Sequence, residues 1–182
     1  MRDEKKIKRT RILLTMLAGI AIVIIVLIIA SLMNRPPQKD EVQVYFSKMS
    51  GADVIVEPVK RVLPKGQNPL SYSIAELMEG PSEEEKDKGF FSEIPVGTKV
   101  ISIEEKAGEV RINLNKQFAS GGGSNSMISR LKELSLTALD AEPVRKIYLD
   151  IDGNQLEMLG GEGLEVVQPL KKENFIAVEQ NE

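Results

Sequence analysis

The sequence predicts an α+β protein: one small two-layer domain, a mixed or antiparallel sheet covered by two helices, preceded by a single N-terminal transmembrane helix. Three observations carry this. Ile12 to Met33 is almost wholly apolar. Several later segments alternate apolar and polar residues with the period of two that marks a strand. Two stretches, near residues 69–79 and 124–141, instead space their apolar residues with the helical period.

Twenty-two residues, Ile12 to Met33, give about 33 Å of helix at ~1.5 Å per residue, enough to cross a hydrocarbon core of ~30 Å. A cleaved signal peptide would need a shorter apolar region of about 7–15 residues and a small-x-small site. Ile29-Ala30-Ser31-Leu32-Met33 does not supply one. Arg2, Lys5, Lys6, Lys8, Arg9 and Arg11 crowd residues 1–11, ahead of the span, while Arg35 and Lys39 alone follow closely. The positive-inside rule then puts the N-terminus in the cytoplasm and the rest outside it, at the plasma membrane. Residues 34–40, with Pro36-Pro37, read as a short semi-rigid linker.

The domain is expected over residues 41–170. Val42, Val44 and Phe46 alternate with Gln43 and Tyr45 as a first strand. Ser50-Gly51-Ala52-Asp53 turns the chain into a second, with Val54, Ile55, Val56 and Val59, and Pro58 marks an edge or bulge. Asn68-Pro69 opens a helix with a capping side chain and a proline at its first position. Leu70, Ile74, Leu77 and Met78 form its apolar face, and Gly80-Pro81 ends it. The charged run Ser82–Lys88 reads as a solvated loop. Val100, Ile101 and Ile103, then Val110, Ile112 and Leu114, read as strands on either side of Ala107-Gly108, with Phe118 anchoring the loop that follows.

Gly121-Gly122-Gly123 reads as a flexible lead-in to the second helix, with Ser124 or Ser126 as its cap. A phosphate-binding loop would need a GxGxxG or GxxxxGK[ST] pattern that is missing here. Met127, Ile128, Leu131, Leu134, Ala138 and Leu139 form the helix's apolar stripe. Pro143 breaks the chain. Val144, Ile147, Leu149 and Ile151 form a strand that turns at Asp152-Gly153 and returns through Leu156, Met158 and Leu159, with a last strand near Leu164–Val167. Residues 171–182 read as a flexible, frayed tail.

Composition excludes several chemistries. There is no cysteine and no histidine, hence no disulfide, no thiolate nucleophile, no Ser-His-Asp arrangement and none of the usual zinc sites. Cysteine absence leaves the redox compartment open. A net charge of −3 and 4% aromatic residues without Trp give no sign of a nucleic-acid partner. Asp150-Ile151-Asp152-Gly153 suggests a calcium loop. With Asp152-Gly153 at positions five and six, however, Tyr148 and Leu159 occupy the first and twelfth positions, where oxygen ligands are required. Glu83-Glu84 and Glu104-Glu105 are sequence neighbours and read as surface charge rather than acid/base pairs. No catalytic, cofactor-binding or metal-ligating residue is assigned, and the chain reads as a non-enzyme.

Several blocks occur in an order that resembles the GerMN domain family, a module of sporulation and spore-germination proteins. They are Val44-Tyr45-Phe46, Val56-Glu57-Pro58-Val59-Lys60-Arg61, Glu76-Leu77-Met78-Glu79-Gly80-Pro81, Ser92-Glu93-Ile94-Pro95-Val96-Gly97-Thr98, Val110-Arg111-Ile112-Asn113-Leu114, Leu134-Ser135-Leu136-Thr137-Ala138-Leu139, and Val144-Arg145-Lys146-Ile147 running to Ile151-Asp152-Gly153. The resemblance covers about Val42 to Leu170. It implies a small sheet covered by helices on one face, similar to ring-building modules of secretion-type complexes, in a non-enzymatic, extracytoplasmic domain. The expected function is a membrane-anchored interaction or scaffold module in an envelope or sporulation/germination-type complex, with envelope protein partners or self-association. The alternative is a cell-surface module for cell-wall glycan or a small ligand, for which Tyr45, Tyr72, Phe90 and Phe91 are the candidate stacking residues. The expected interface is a helix face or an exposed sheet edge.

Overall fold

The computed structural model describes residue 24 and residues 41–106, 108–143, 145–160 and 163–176. The expected membrane span, the basic segment before it, the linker and residues 177–182 lie outside the described residues, Ile24 excepted. Among the described residues no helix is long and apolar enough to cross a membrane. The fold that follows belongs to the unit of residues 39–182.

β1 (Glu41–Ser50) and β2 (Asp53–Val62) pair antiparallel through their whole length, from Glu41 opposite Val62 to Ser50 opposite Asp53. The alternation seen in the sequence buries Val42, Val44 and Phe46. β3 (Phe90–Phe91) adds two pairs, at Ser47 and Lys48, on the other side of β1. The second sheet has the order β4-β5-β6-β7: β4 (Val100–Lys106), β5 (Glu109–Leu114), β6 (Lys146–Ile151) and β7 (Asn154–Gln155). β5 and β6 run parallel. A parallel pair needs a long crossover, and here the chain passes through a 3-10 turn (Lys116–Ala119) and a helix before it returns. β8 (Met158–Leu159) and β9 (Leu164–Glu165) form a third, two-stranded sheet.

Helix α1 (Pro69–Glu79) starts and stops where its caps predict. The Asn68 side chain accepts from the Ser71 N–H at 3.0 Å, and Gly80, at φ 84°, closes the last turn. The charged run read as a loop instead contains α2 (Glu83–Asp87). Ser82 and Glu85 cap one another reciprocally, the S-x-x-E signature of a capping box. Glu85 then turns inward. Arg61 of β2 donates two parallel bonds to its carboxylate, one of 2.7 Å from Nη2, and a third of 3.0 Å from Nε to Glu76 of α1. One guanidinium thus ties β2, α1 and α2 together.

The hydrogen bonds from Arg61 are the main cause that holds the Glu85 carboxyl below its usual range. A depressed folded value means the pair contributes stability above the unfolded carboxyl pKa of ~4.3 and loses it as pH falls through the lower folded value. Arg61→Ala is expected to cost about 2–3 kcal/mol at neutral pH, since it strands a buried carboxylate. Chemical denaturation across pH should also show a shallower acid limb in the variant.

Helix α3 (Ser124–Ala141) departs furthest from expectation. Twelve of its eighteen residues are buried, including Ser129, Arg130, Glu133 and Thr137 from the face the pattern marks as polar, and Ser135 within the apolar stripe. Ile128, assigned to the apolar stripe, is exposed. Its Leu131, Leu134 and Ala138 share one core cluster with Val44 and Phe46 of β1, Ile112 and Leu114 of β5, and Ile147 and Leu149 of β6. The two-layer α+β architecture with mixed and antiparallel pairing holds, but the expected single small sheet is divided into three, and α3 is buried on more than the one face its stripe marks.

A further correction follows. The return after Asp152-Gly153 is split, because β7 ends at Gln155 and β8 pairs with β9 instead of extending the hairpin. The described part of the tail, residues 171–176, holds a short helix, and the chain just ahead of it pairs with β6. The Gln168 side chain bonds both Leu149 backbone groups, at 2.7 and 3.0 Å, like an added strand. Leu170 bridges to Ile147. Short helix α4 (Glu173–Ile176) buries Phe175.

Candidate functional site

The deepest polar feature is a seam between α3 and β1. The Ser47 N–H donates to Glu133 Oε1 at 3.2 Å, and the Tyr45 N–H donates to Thr137 Oγ1 at 3.0 Å. Residues two apart on a strand are ~6.6 Å apart, and residues four apart on a helix rise ~6 Å, so the two repeats match. The helix offers acceptors where a neighbouring strand would offer carbonyls, and on this side of β1 the first sheet continues only through the two β3 pairs at Ser47 and Lys48.

Glu133 is 0% exposed. Besides the Ser47 N–H it accepts from Ser47 Oγ (2.5 Å), Ser92 Oγ (2.7 Å) and the Glu93 N–H (3.0 Å). Burial pushes its carboxyl above the usual range despite these donors. A buried carboxyl with a raised pKa is a common mark of catalysis. This one is closed off from solvent and its acceptor sites are taken by the protein itself, so it holds structure together rather than meeting a substrate.

The seam continues through Glu93, which accepts from Ser126 Oγ at 2.6 Å, to Arg130, which is 2% exposed. Arg130 donates to the carbonyls of Phe118, Ser120 and Gly121 and to Ser126 Oγ, all within 2.9–3.0 Å. The triple glycine is therefore a clasp around a buried cation, not a flexible lead-in. A Cβ on Gly122 would lie 2.5 Å from Arg130 Nη2. The helix cap is Gly123, one residue ahead of Ser124, and the Ser126 hydroxyl is engaged by Glu93 and Arg130.

The same geometry describes the sheet edges. The Tyr45 and Ser47 N–H groups point toward α3, so their β2 partners Pro58 and Val56 sit at non-hydrogen-bonded positions. The missing N–H of Pro58 thus falls on the free outer edge of β2 and interrupts it at mid-strand. The outer edge of β4 is broken by a bulge between Val100 and Ser102, which leaves Ile101 exposed, and then by Glu104, Glu105 and Lys106. Both long free edges are blunted against strand addition, so the expected sheet-edge interface is disfavoured.

Among the described residues, two surface depressions stand out. One groove, about 580 Å³, is lined by Leu139, Arg145, Lys146, Leu170, Lys171 and Lys172 among others. Its basic character is partly cancelled, because Arg145 pairs with Glu105 and Glu142 and Lys172 with Asp140. The other, about 210 Å³, is apolar and lies between α3, the β9 segment and α4.

The residues weighed in the sequence fall as follows. Asp150 is buried and accepts from Arg111 at 2.8 Å, so it is an ion-pair partner, while Asp152 forms the turn at φ 46°. Glu83, Glu84, Glu104 and Glu105 are exposed. Tyr45 and Phe90 pack against the core, and Tyr72 and Phe91 are half-buried, so the four form no open stacking platform. Sequence reasoning missed Glu133, Arg130 and Glu85, of which Glu85 alone carried a local signal.

Comparison with known proteins agrees with this architecture. A chain holding the tandem GerMN domains of the sporulation protein GerM from Bacillus subtilis matches at 21% identity with a TM-score of 0.55, over 70% of this chain and 44% of that one. This chain therefore spans under half the length of that tandem structure. The first GerMN domain of the same protein matches at 18% identity with a TM-score of 0.60, over 74% of this chain and 99% of that one. No curated protein sequence matches. The family model described as Germane, sporulation and spore germination, matches residues 43–157, from the first strand through the hairpin after β6, and the chain belongs to that family.

Proposed function

We propose that this protein is a membrane-anchored, extracytoplasmic module that works by contact with other proteins, without catalysis, in an envelope complex of the sporulation or germination type. The observation that carries the reading is the sealed polar interior. Glu133 has its acceptor sites taken by the protein's own donors, and Arg130 spends both terminal nitrogens on loop carbonyls and the Ser126 hydroxyl, its buried Nε being left without a partner among the described residues. Function is then left to the surface. The apolar run Ile12–Met33 and the basic residues before it supply the anchor and its orientation.

The test is made on the full chain in cells of its source. Protease added outside spheroplasts should digest the domain while sparing a tag at the N-terminus, and mild-detergent purification should recover envelope proteins with it. A chain that stays soluble without detergent, or repeated recovery of no partner and no self-assembly, would count against the reading.

A cell-wall glycan or small anionic ligand is the alternative. The groove of about 580 Å³ favours it, since its volume lies within the ~300–1,000 Å³ of ligand pockets. Retention on purified cell wall, lost in Lys146→Glu and Lys171→Glu, would support it, and clean flow-through would remove it.

A further inference from the structure

The β6–β7 turn carries a chemistry that neither the buried seam nor the surface grooves involve. Asp152-Gly153 is the single Asp-Gly pair in the sequence, which holds no Asn-Gly pair. The two residues join β6 to β7, with φ 46° at Asp152 and 81° at Gly153, and both are exposed. Two successive positive φ values mark a type I′ turn, whose twist suits a two-residue hairpin. Among the described residues Asp152 is the one non-glycine with positive φ.

An aspartate followed by glycine is open to attack by its own chain, because glycine sets no Cβ in the way of a close backbone approach. The Gly153 nitrogen bonds to Asp152 Cγ, the Cγ–OH bond breaks, and water leaves with the amide hydrogen. The product is a five-membered cyclic imide. Water then adds back at either ring carbonyl. Opening at Cγ restores aspartate. Opening at the main-chain carbonyl leaves the backbone running through Cβ and Cγ, as isoaspartate. Atoms balance, and water is the only reagent.

In the folded turn the attacking group is already engaged. The Gly153 N–H donates to Asn113 Oδ1 of β5 at 3.0 Å. Beside it the Asp152 N–H donates to the Leu114 carbonyl at 2.9 Å, and Asn154 Nδ2 donates to the Asp152 carbonyl at 3.3 Å. The peptide unit is planar and turns as one piece, so swinging the Gly153 nitrogen onto Asp152 Cγ breaks the bond to Asn113 first. We infer that Asp152-Gly153 is a latent isoaspartate site and that Asn113 restrains it by holding the Gly153 N–H. The inference is independent of the contact role proposed above. Its consequence is local. Isoaspartate adds one backbone atom to a two-residue turn, so the Ile151–Asn154 and Asp150–Gln155 pairs that fix β7 lose their register.

The full-length chain in mild detergent is aged at neutral pH, well below its melting temperature. Isoaspartate is measured by methyl transfer from S-adenosylmethionine, with an isoaspartyl methyltransferase as reagent, and located by electron-transfer fragmentation of the peptide that holds Asp152. The folded wild type should form it far more slowly than the same chain in denaturant, because the turn must open locally first. Asn113→Ala should speed its formation at Asp152 about fivefold, the shift in open population that loss of one hydrogen bond gives. Asn154→Ala loosens the same turn but leaves the Gly153 N–H bonded, and should age close to the wild type. Asp152→Glu should abolish the signal at this position. Hydrogen exchange of the Gly153 amide gives a reading that needs no variant: the amide should be protected although Gly153 is exposed. Ageing of Asn113→Ala at the wild-type rate, equal acceleration by Asn154→Ala, a folded wild type that ages as fast as the denatured chain, or Gly153 exchange at the free-peptide rate would each overturn the inference.

Discussion

Replacing Glu133 with alanine is expected to cost about 3–5 kcal/mol of folding stability. The loss is large because the substitution removes an acceptor from four donors at once, leaving the Ser47 and Glu93 N–H groups buried and unpaired. A domain of this size has roughly 5–15 kcal/mol in total and shifts its Tm by about 2–4 °C per kcal/mol. A fall of about 10 °C or more by thermal melting is therefore the expected reading.

Glu133→Gln should behave quite differently. The amide oxygen keeps three donors, and the amide nitrogen can donate to Ser92 Oγ. Burial raises the Glu133 pKa, so its folded value stands above the unfolded ~4.3. Glu133 thus contributes stability that is complete below the unfolded value and is lost as pH rises through the folded one. The glutamine variant lacks that dependence, and at pH 7 it should equal or slightly exceed the wild type. A glutamine variant as damaged as the alanine one would mean that the negative charge itself is required.

The second large effect belongs to Arg130. Arg130→Ala should cost about 3 kcal/mol or more, because three loop carbonyls and the Ser126 hydroxyl lose their donor inside the protein. Gly122→Ala should reproduce part of the loss, about 2 kcal/mol. Its Cβ would press on Arg130 Nη2 and Ser126 Oγ, and φ +80° is costly for any residue with a Cβ. Hydrogen exchange should localise both defects. Amides of residues 118–126 should lose protection well before those of β5 and β6.

Much of the fold was legible because it follows local rules. The β1–β2 hairpin, the start and stop of α1, and the buried Phe118 each rest on alternation, caps or turn residues within a few positions. α2 was equally local, with Ser82 and Glu85 three apart, but the density of charge around it masked the capping box. The interior of α3 was not legible. A stripe at helical period announces one buried face and says nothing about a second, and Glu133 becomes core only because β1 offers N–H groups at matching spacing. The parallel pairing of β5 with β6 was hidden for a similar reason, since a strand's own alternation does not encode the direction of its neighbour.

The seam also has a mechanical side. Where a strand lies along another strand, a pull along its axis loads the whole ladder in shear. Here β1 is held on one flank by β2 and on the other by side chains rooted in a rigid helix. To slide, β1 must leave the ladder and the two α3 acceptors together, because their repeats coincide at one register only. Tension entering at Glu41 is thus shared between the hairpin and α3 from the first ångström of travel. The domain should resist a pull on its N-terminal strand far better than one that peels β2 from its free edge, a difference that single-molecule force spectroscopy with two attachment points would read directly.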